Sequence, residues 1–231
     1  MNSQWKSFLE SQSALITDEG TVQFNSDDQF PACALFDLSQ LGLIRVSGEE
    51  AQSFLQGQFT NDTRDVTESS SQLSSYCSPK GRMLANFRLF MRQGDFFLQM
   101  PLDIHHKIMK RLPMFILMSK AKVSDASDEL VAIGVAGDCA KSLLQKHFAT
   151  IPEQPGAVTQ QADTTLIKIP GAPDRFQVIG SPEAMATLWS QLSAQATPAS
   201  SDYWSLLDIR AGIPTILQET EDSFVPQMTI M

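Results

Sequence analysis

The segments VSGEEAQSFLQGQFTND (46–62) and YCSPKGRMLANFRLF (76–90) decide the fold of this chain. Each contains apolar runs that are interrupted by a short polar turn. In the first segment, Ser47 with Glu50 three residues later has the pattern of a capping box before an apolar helix. Gly57 stands where a helix that ends in the left-handed conformation needs a glycine. We therefore expect a short helix here, followed by a β-hairpin in the second segment.

The hairpin turn SPKG and the arginine after it form one candidate site. Pro79 and Gly81 occupy the second and fourth positions that a type I turn prefers. Lys80 and Arg82 place two cations there, which suits an anion such as a carboxylate or a phosphate, because arginine supplies a fork of donors and lysine a point charge. A solvated turn is the simpler explanation when the turn is considered alone.

A second candidate is the polar stretch after the helix, which includes Gln56, Gln58, Asn61 and Asp62. Amide and carboxylate groups can together recognise the donor and acceptor edge of a heterocycle in a mostly apolar pocket. Helix and turn capping by Asn and Asp is the alternative. Both explanations stay open at this point.

Two further candidates lie on a strand and on a late helix. In RMLANFRLF, Asn86 and Arg88 share one face by two-residue alternation and could line a cavity. Polar residues on an exposed sheet face explain them nearly as well. In YWSLLDIRA, Trp204 offers an aromatic wall for a flat ring, beside the cation of Arg210. An aromatic core anchor is the more common role for such a tryptophan.

The order of apolar segments predicts four regions. Residues 1–30 are polar and are expected to form an N-terminal arm that docks through a few apolar side chains. Residues 31–126 carry the helix and the hairpin and form a first domain. Residues 127–199 have the order β-α-β-β-α, which suits a ferredoxin-like second domain. Residues 200–231 follow a Ser/Ala/Pro linker and are expected to return to the first domain.

Composition limits the classes of function. The 231 residues are 42% hydrophobic and 19% charged, as in an ordinary folded protein. The net charge of −9 disfavours a nonspecific grip on nucleic acid or an acidic membrane, and no apolar run reaches transmembrane length. Cys33, Cys77 and Cys139 are far apart and odd in number, so we expect no disulfide framework and a cytoplasmic location. The histidines lack metal-ligand spacing, so no metal site is expected.

Four motifs together resemble the YgfZ family of folate-binding proteins, relatives of the glycine-cleavage T-protein: SGEEAQSFLQGQFTND, CSPKGRMLANFRLF, LLDIRAGIP and FVPQM. The match runs from about Leu41 to the end of the sequence. The resemblance implies an α+β protein with the first two domains of a T-protein-like three-domain ring around a folate channel. It also implies a role in maintaining iron–sulfur enzymes and in tRNA thiolation rather than a metabolic reaction of its own.

The resemblance also implies how tetrahydrofolate would be bound. Trp204 matches the tryptophan of the family's folate site, and Leu41 stands where close relatives can have a second tryptophan. These two side chains would cover the pterin. The expected polar contacts are Gln58, Asn61 and Asn86 at the pterin edge and Lys80, Arg82, Arg88 or Arg210 at the glutamate carboxylates.

Two departures from the family pattern affect the expected function. T-proteins take their catalytic carboxylate from an aspartate pair, and the matching positions here are Ala85 and Asn86. No catalytic residue is therefore expected, and a folate-dependent aminomethyltransferase ranks second. A scaffold for protein partners, such as iron–sulfur proteins or carriers, ranks third, without direct contact to nucleic acid. YgfZ-type proteins continue past FVPQM into a KGCYxGQE motif and a barrel domain, so a sequence ending at Met231 is expected to be a fragment or a shortened member.

Overall fold

The computed structural model describes residues 1–17, 20–24 and 30–229. The strands, in chain order, are β1 (Leu15–Ile16), β2 (Val22–Gln23), β3 (Cys33–Asp37), β4 (Leu41–Ser47), β5 (Gln72–Cys77), β6 (Met83–Arg92), β7 (Asp95–Pro101), β8 (Lys122–Asp125), β9 (Val131–Gly137), β10 (Val158–Gln161), β11 (Thr164–Ile169), β12 (Arg175–Gly180) and β13 (Thr197–Ala199). The α-helices are α1 (Ser3–Ser11), α2 (Ala51–Gln56), α3 (Leu102–Arg111), α4 (Ala140–Leu144), α5 (Pro182–Leu192) and α6 (Ser201–Arg210). None of the helices in the described ranges combines the length and the apolar character needed to cross a membrane.

The chain divides into two compact units. Unit 1 consists of Met1–Gln40 and Ser127–Ala211, and unit 2 of Leu41–Ala126 and Gly212–Met231. Each unit is therefore made of two segments that are far apart in sequence.

Unit 1 is built on a six-stranded sheet with the order β10-β11-β12-β9-β3-β13. The expected ferredoxin-like unit is formed by β9, α4, β11, β12, α5 and β13. Strand β3 is inserted into it, antiparallel to β9 and parallel to β13. A strand from the start of the chain thus lies inside a sheet made mainly by its second half.

The expected domain boundaries differ from this division. A first domain at 31–126 begins too early, because β3 belongs to the sheet of unit 1. A second domain at 127–199 ends too early for the same unit, since α6 contacts β3. A return segment at 200–231 is correspondingly too long, and only the part from residue 212 onward belongs to unit 2. Residues 230–231 lie outside the described ranges.

Helix α1 docks the start of the chain onto unit 1. Trp5 and Leu9 are fully buried, and the Trp5 ring meets Trp189 of α5 edge-on, with 5.8 Å between the ring centroids. The Trp5 indole N–H donates to Asp37 Oδ1 at 2.6 Å. Residues 1–17 therefore dock through apolar side chains, as expected for the arm at 1–30. Its parts at 18–19 and 25–29 lie outside the described residues.

Unit 2 is built on a five-stranded antiparallel sheet with the order β5-β6-β7-β4-β8. The predicted hairpin joins β5 to β6, and the Gly81 N–H donates to Ser78 O at 2.8 Å. Gly81 has a φ of +75°, which glycine adopts without a steric cost. Helices α2 and α3 pack against this sheet and contribute Phe54 and Ile108 to its core.

Helix α2 begins without the expected capping box. Ser47 ends β4, and the helix starts only at Ala51. The Glu50 carboxylate accepts a hydrogen bond from the backbone N–H of Lys120 at 2.6 Å, close to where β8 pairs with β4. Gly57 has a φ of −78°, so the expected left-handed helix end is also wrong. The Glu50 side chain therefore binds a residue distant in the chain and does not cap the helix.

Cys33 and Cys139 form a disulfide, contrary to the expectation drawn from the sequence. Their Cα atoms are 5.6 Å apart, although 106 positions separate them in sequence. The register of β3 on β9 places Cys33 opposite Gly137, two residues before Cys139. Spacing along the chain could not reveal this pair, because the sheet creates it.

Candidate functional site

Strand β6 carries two polar residues on a buried face of unit 2. Asn86 and Arg88 are 4% and 8% exposed, and they lie opposite the face on which Ala85, Phe87 and Leu89 join the core. The predicted alternation is therefore present in the strand. The alternative of an exposed sheet face is wrong, since β6 is buried along both faces except at one position.

Asn86 uses its amide to hold the segment that returns to unit 2. Its Nδ2 donates to Pro214 O at 2.6 Å, and its Oδ1 accepts from the Ile216 N–H at 2.7 Å. The amide thus binds one acceptor and one donor of the same stretch of backbone. Besides these two bonds, an Asn amide can donate one more hydrogen and accept at one more lone pair, and no further bond of Asn86 is found among the described residues.

Gln99 is a buried polar residue that the sequence analysis missed. It lies on β7 opposite Arg88 of β6 and opposite Leu43 of β4, and it is 5% exposed. Within the described part of the chain its Nε2 has no hydrogen-bond partner. Such a donor costs about 1–3 kcal/mol unless water or a ligand accepts its hydrogen bond. The signal in the sequence was a single amide inside the apolar strand DFFLQMP.

The two turn cations behave differently. Both are exposed, but Arg82 donates from Nη1 to Ser223 O at 2.9 Å, which ties the turn to the returning segment. Ser78 strengthens the same attachment by donating to Asp222 Oδ1 at 2.9 Å. Lys80 is the more accessible of the two cations for an anion, because Arg82 already holds a protein acceptor.

Capping accounts for part of the polar stretch after α2. Gln56 Oε1 accepts from the Thr63 N–H at 2.7 Å, and Asp62 Oδ1 accepts from the Arg64 N–H at 2.9 Å. The side-chain hydrogen bond from Arg64 lowers the pKa of Asp62 to about 2. Gln58 and Asn61 are half-buried, and Asn61 Oδ1 accepts from the Thr60 hydroxyl at 2.8 Å. The alternative explanation therefore holds for Gln56 and Asp62.

The remaining candidates in the two units are Leu41, Trp204 and Arg210. Leu41 is half-buried at the start of β4 in unit 2. Trp204 belongs to unit 1 and is 3% exposed. Arg210 is exposed in the last turn of α6, also in unit 1.

Trp204 is enclosed by its own unit. Its ring occupies the space beside Gly134 of β9, where a Cβ atom would lie 2.5 Å from the ring. Phe36 meets the ring edge-on at 5.4 Å, and the Arg175 guanidinium lies 5.0 Å from its centroid. Arg175 also pairs with Asp208, with 2.8 Å between Nη1 and Oδ1. These contacts are those of an aromatic core anchor.

The structure thus brings some of the predicted residues together. Asn86 and Arg88 share a buried face with Gln99, and Lys80 with Arg82 share the hairpin turn. Leu41, Gln58 and Asn61 belong to the same unit as these two groups, and Trp204 and Arg210 belong to unit 1.

This fold and arrangement define a class of protein. Residues 23–171 match the model of the GCVT N-terminal domain, and the chain belongs to that family. A similar fold is found in the glycine cleavage system aminomethyltransferase T from Bartonella henselae, with a TM-score of 0.76 and 16% identity. That comparison covers 93% of this chain and 63% of the other.

Comparison with curated relatives shows which members of this family the chain is similar to. It is 32% identical to the tRNA-modifying protein YgfZ of Colwellia psychrerythraea over 89% of its length, and 32% identical to the YgfZ protein of Cronobacter sakazakii over 84%. The resemblance to the YgfZ family is thereby confirmed. The chain spans 63% and 59% of the length of these two relatives.

Proposed function

We propose that this protein acts in tRNA modification and does so as a tetrahydrofolate-binding protein without a transferase reaction of its own. The observation that carries the proposal is the similarity to proteins named tRNA-modifying protein YgfZ over 84–89% of the chain. The further parts of the proposal are that it works in the cytoplasm and supports the assembly or repair of iron–sulfur proteins.

The buried polar face of unit 2 supports folate binding. A pterin needs donors for its carbonyl oxygen and ring nitrogens, and the Gln99 Nε2 is a buried donor without a partner in the described residues. Arg88 lies opposite Gln99 on the next strand. Gln58, Asn61 and the remaining groups of Asn86 would read the pterin edge in this proposal.

Cations suited to the glutamate tail of a folate lie at the hairpin. Lys80 is exposed there, and Arg82 supplies a second charge while it holds Ser223. Carboxylates bind well to such a pair. Leu41 would cover part of the ring as an apolar side chain.

Unit 1 contributes Trp204 and Arg210 to the proposal. For a pterin to stack on Trp204, the Arg175 guanidinium would have to leave the ring face. The Arg175→Lys variant tests this step, because lysine keeps the charge and lacks the planar group. Tighter folate binding by this variant would support stacking at Trp204, and unchanged binding would remove Trp204 from the site.

The lack of a carboxylate on β6 argues against transferase chemistry. Ala85 is fully buried in the core of unit 2, and Asn86 is engaged with Pro214 and Ile216. Aminomethyl transfer needs a group that moves a proton, and neither residue supplies one. Formation of methylenetetrahydrofolate from an aminomethyl donor would overturn this part of the proposal.

Calorimetric titration with folinic acid tests the folate site. We expect saturable binding to the wild-type protein and about tenfold weaker binding to Gln99→Leu, because one hydrogen bond to the ligand is lost. The fold should not suffer, since the substitution removes an unpaired buried donor. Gln191→Leu, on an exposed position of α5, is the matched control. Equal affinity of the Gln99→Leu and wild-type proteins would place the ligand elsewhere.

The tRNA part of the proposal needs a separate measurement. Nucleosides from the tRNA of cells without this protein should contain less thiolated product than those of wild-type cells, as measured by mass spectrometry. The Gln191→Leu protein should restore the level, and Gln99→Leu should restore it only in part. An unchanged nucleoside profile in cells without the protein would refute the role in tRNA modification.

A further inference from the structure

Backbone pairing, and not the sulfur–sulfur bond, brings Cys33 and Cys139 together. Cys33 lies opposite Gly137 in the β3–β9 ladder, and Cys139 follows two residues later. Gly137 has a φ of +116°, and a Cβ atom there would lie 2.1 Å from the Ala32 carbonyl oxygen. Only glycine leaves room at position 137 for the chain to pass this close to the backbone of Ala32. The ladder would hold the two thiols next to each other in the reduced protein as well.

Both sulfurs lie at the edge of the core. Cys33 and Cys139 are half-buried and pack against the hydrophobic cluster of unit 1 from outside. Their Cα separation of 5.6 Å lies in the usual range for a disulfide. The two cysteines are therefore partly exposed residues whose backbone separation already suits a disulfide.

Cys77 provides an internal contrast. It is half-buried in unit 2 and has no disulfide. Burial raises the pKa of its thiol, which lowers its thiolate fraction and its reactivity. Any redox chemistry that links two cysteines within this chain should leave Cys77 unchanged.

The position of the pair in the chain gives the bond a structural effect. The bridge closes a loop with a sequence separation of 106, and that loop contains the whole of Leu41–Ala126. Strand β3 leads into this segment and β9 follows it. Oxidation therefore joins β3, the last strand before the chain leaves unit 1, to the turn after β9, the first strand after it re-enters.

We propose that Cys33 and Cys139 form a reversible redox site that exchanges with low-molecular-weight disulfides of the glutathione type. One thiolate attacks the small disulfide, forms a mixed disulfide and releases one small thiol. The second cysteine attacks the protein sulfur of that mixed disulfide and releases the other small thiol. The two cysteines lose two electrons and two protons, which the small disulfide gains as two thiols. This site is independent of the proposed folate function.

Thiol trapping tests the exchange. The full chain is incubated in a series of ratios of reduced to oxidised glutathione, quenched with acid, and alkylated with N-ethylmaleimide before peptide mass analysis. We expect Cys33 and Cys139 to lose alkylation together as the ratio falls and to regain it when reduced glutathione is added back. Cys77 should be alkylated throughout. Alkylation of all three thiols at every ratio, or a bond that native-state reduction cannot open, would overturn the proposal.

Two variants separate a redox site from a merely structural pair. Cys33→Ser should leave Cys139 as a stable mixed disulfide with glutathione, because no second thiol can release it. Cys77→Ser should behave as the wild type. The oxidised wild-type protein should melt about 5–10 °C above its reduced form, a difference that Cys33→Ser should abolish. Equal melting temperatures for the two wild-type forms would refute the structural effect of oxidation.

Discussion

Unit 1 and unit 2 each contain a segment from a distant part of the chain, but they hold it by different means. In unit 1, β3 is paired along its backbone with β9 on one side and with β13 on the other. In unit 2, the segment from Gly212 is held mainly by side chains, with Asn86 binding Pro214 and Ile216 and Arg82 binding Ser223. Two backbone hydrogen bonds, which join Met83 to Asp222 and to Phe224, add to these contacts.

The difference concerns how each attachment can fail. Backbone pairing is spread over many hydrogen bonds that no single side chain controls. The buried amide of Asn86 concentrates the attachment of residues 214 and 216 in one side chain, and its loss leaves two backbone groups without partners. We therefore expect unit 1 to unfold when its core packing is weakened. Unit 2 should first lose the contacts of its returning segment, while the rest of the unit stays folded.

The largest effect is expected from Trp204→Ala in unit 1. The substitution removes a side chain that is 3% exposed and leaves a cavity beside Gly134. Large-to-small changes of this kind cost about 3–5 kcal/mol. Urea denaturation should show the loss, while Ile209→Ala at a position that is 73% exposed should change the free energy of unfolding by less than about 0.5 kcal/mol. A small effect of Trp204→Ala would mean that unit 1 does not depend on this core contact.

Asn86→Ala should give the next largest effect, and a more local one. Loss of both hydrogen bonds to residues 214 and 216 is expected to cost about 2–3 kcal/mol. Hydrogen exchange should rise in the returning segment, while the amides of unit 1 keep their protection. Asn61→Ala, at a half-buried amide without these two hydrogen bonds, is the control. Uniformly faster exchange in both units would contradict the proposed local release.

The third prediction is that the unfolding free energy depends on pH through Asp37 of unit 1. Burial raises the pKa of Asp37 from 3.8 to about 6, so the folded protein keeps a proton that the unfolded chain loses. The resulting stabilisation is complete below about pH 4 and is lost as the pH rises through 6. The wild type should lose up to about 2–3 kcal/mol of unfolding free energy between pH 4 and 7.5 through this carboxyl, and Asp37→Asn should lose none of it. The comparison uses this pH dependence and not the stability at one pH, because the Asn Nδ2 cannot accept the Ser39 N–H that Asp37 Oδ2 binds at 3.0 Å.

The control for that prediction is Asp138→Asn, which removes an exposed carboxylate of the same unit. Its unfolding free energy should change between pH 5 and 7.5 as that of the wild type does. If the Asp37→Asn protein kept the wild-type pH dependence, the titrating group would have to be another residue.

The smallest change in the free energy of unfolding is expected for substitutions in the hairpin turn. Arg82→Ala removes the hydrogen bond to Ser223 O at an exposed position and should cost less than about 1 kcal/mol. Lys80→Ala, which changes the neighbouring cation, should cost less still. Thermal melts of the two variants would sharpen the comparison, because only Arg82→Ala should loosen residues 221–229. Equal effects would show that the turn does not hold the segment.

The sequence predicted best those features of the structure that depend on residues close together in the chain. Pro79 and Gly81 identified the hairpin turn, and alternation placed Asn86 and Arg88 on one face. The order of segments after residue 130 identified the ferredoxin-like unit. Each of these features depends on spacing over a few residues or on the order of adjacent elements.

The sequence did not predict features of the structure that depend on contacts between residues far apart in the chain. The insertion of β3, the disulfide of Cys33 with Cys139 and the engagement of Glu50 by Lys120 all arise from contacts between residues distant in the chain. Gln99 was missed because an isolated amide in an apolar strand does not reveal whether it has a partner. The stacking role of Trp204 stays a prediction, and the sequence could not show that the Arg175 guanidinium lies 5.0 Å from its ring centroid.

The inserted strand has a consequence for how the protein is made. The ribosome delivers Cys33–Asp37 long before Val131–Gly137 and Thr197–Ala199, the two strands between which it lies. Because a nascent chain is made from its amino end and grows at its carboxyl end, this strand stays without its two partner strands until most of the polypeptide has been translated. The first four residues of its sequence CALFD are apolar, so we expect chaperones that shield newly made chains to bind this segment before its partner strands are made.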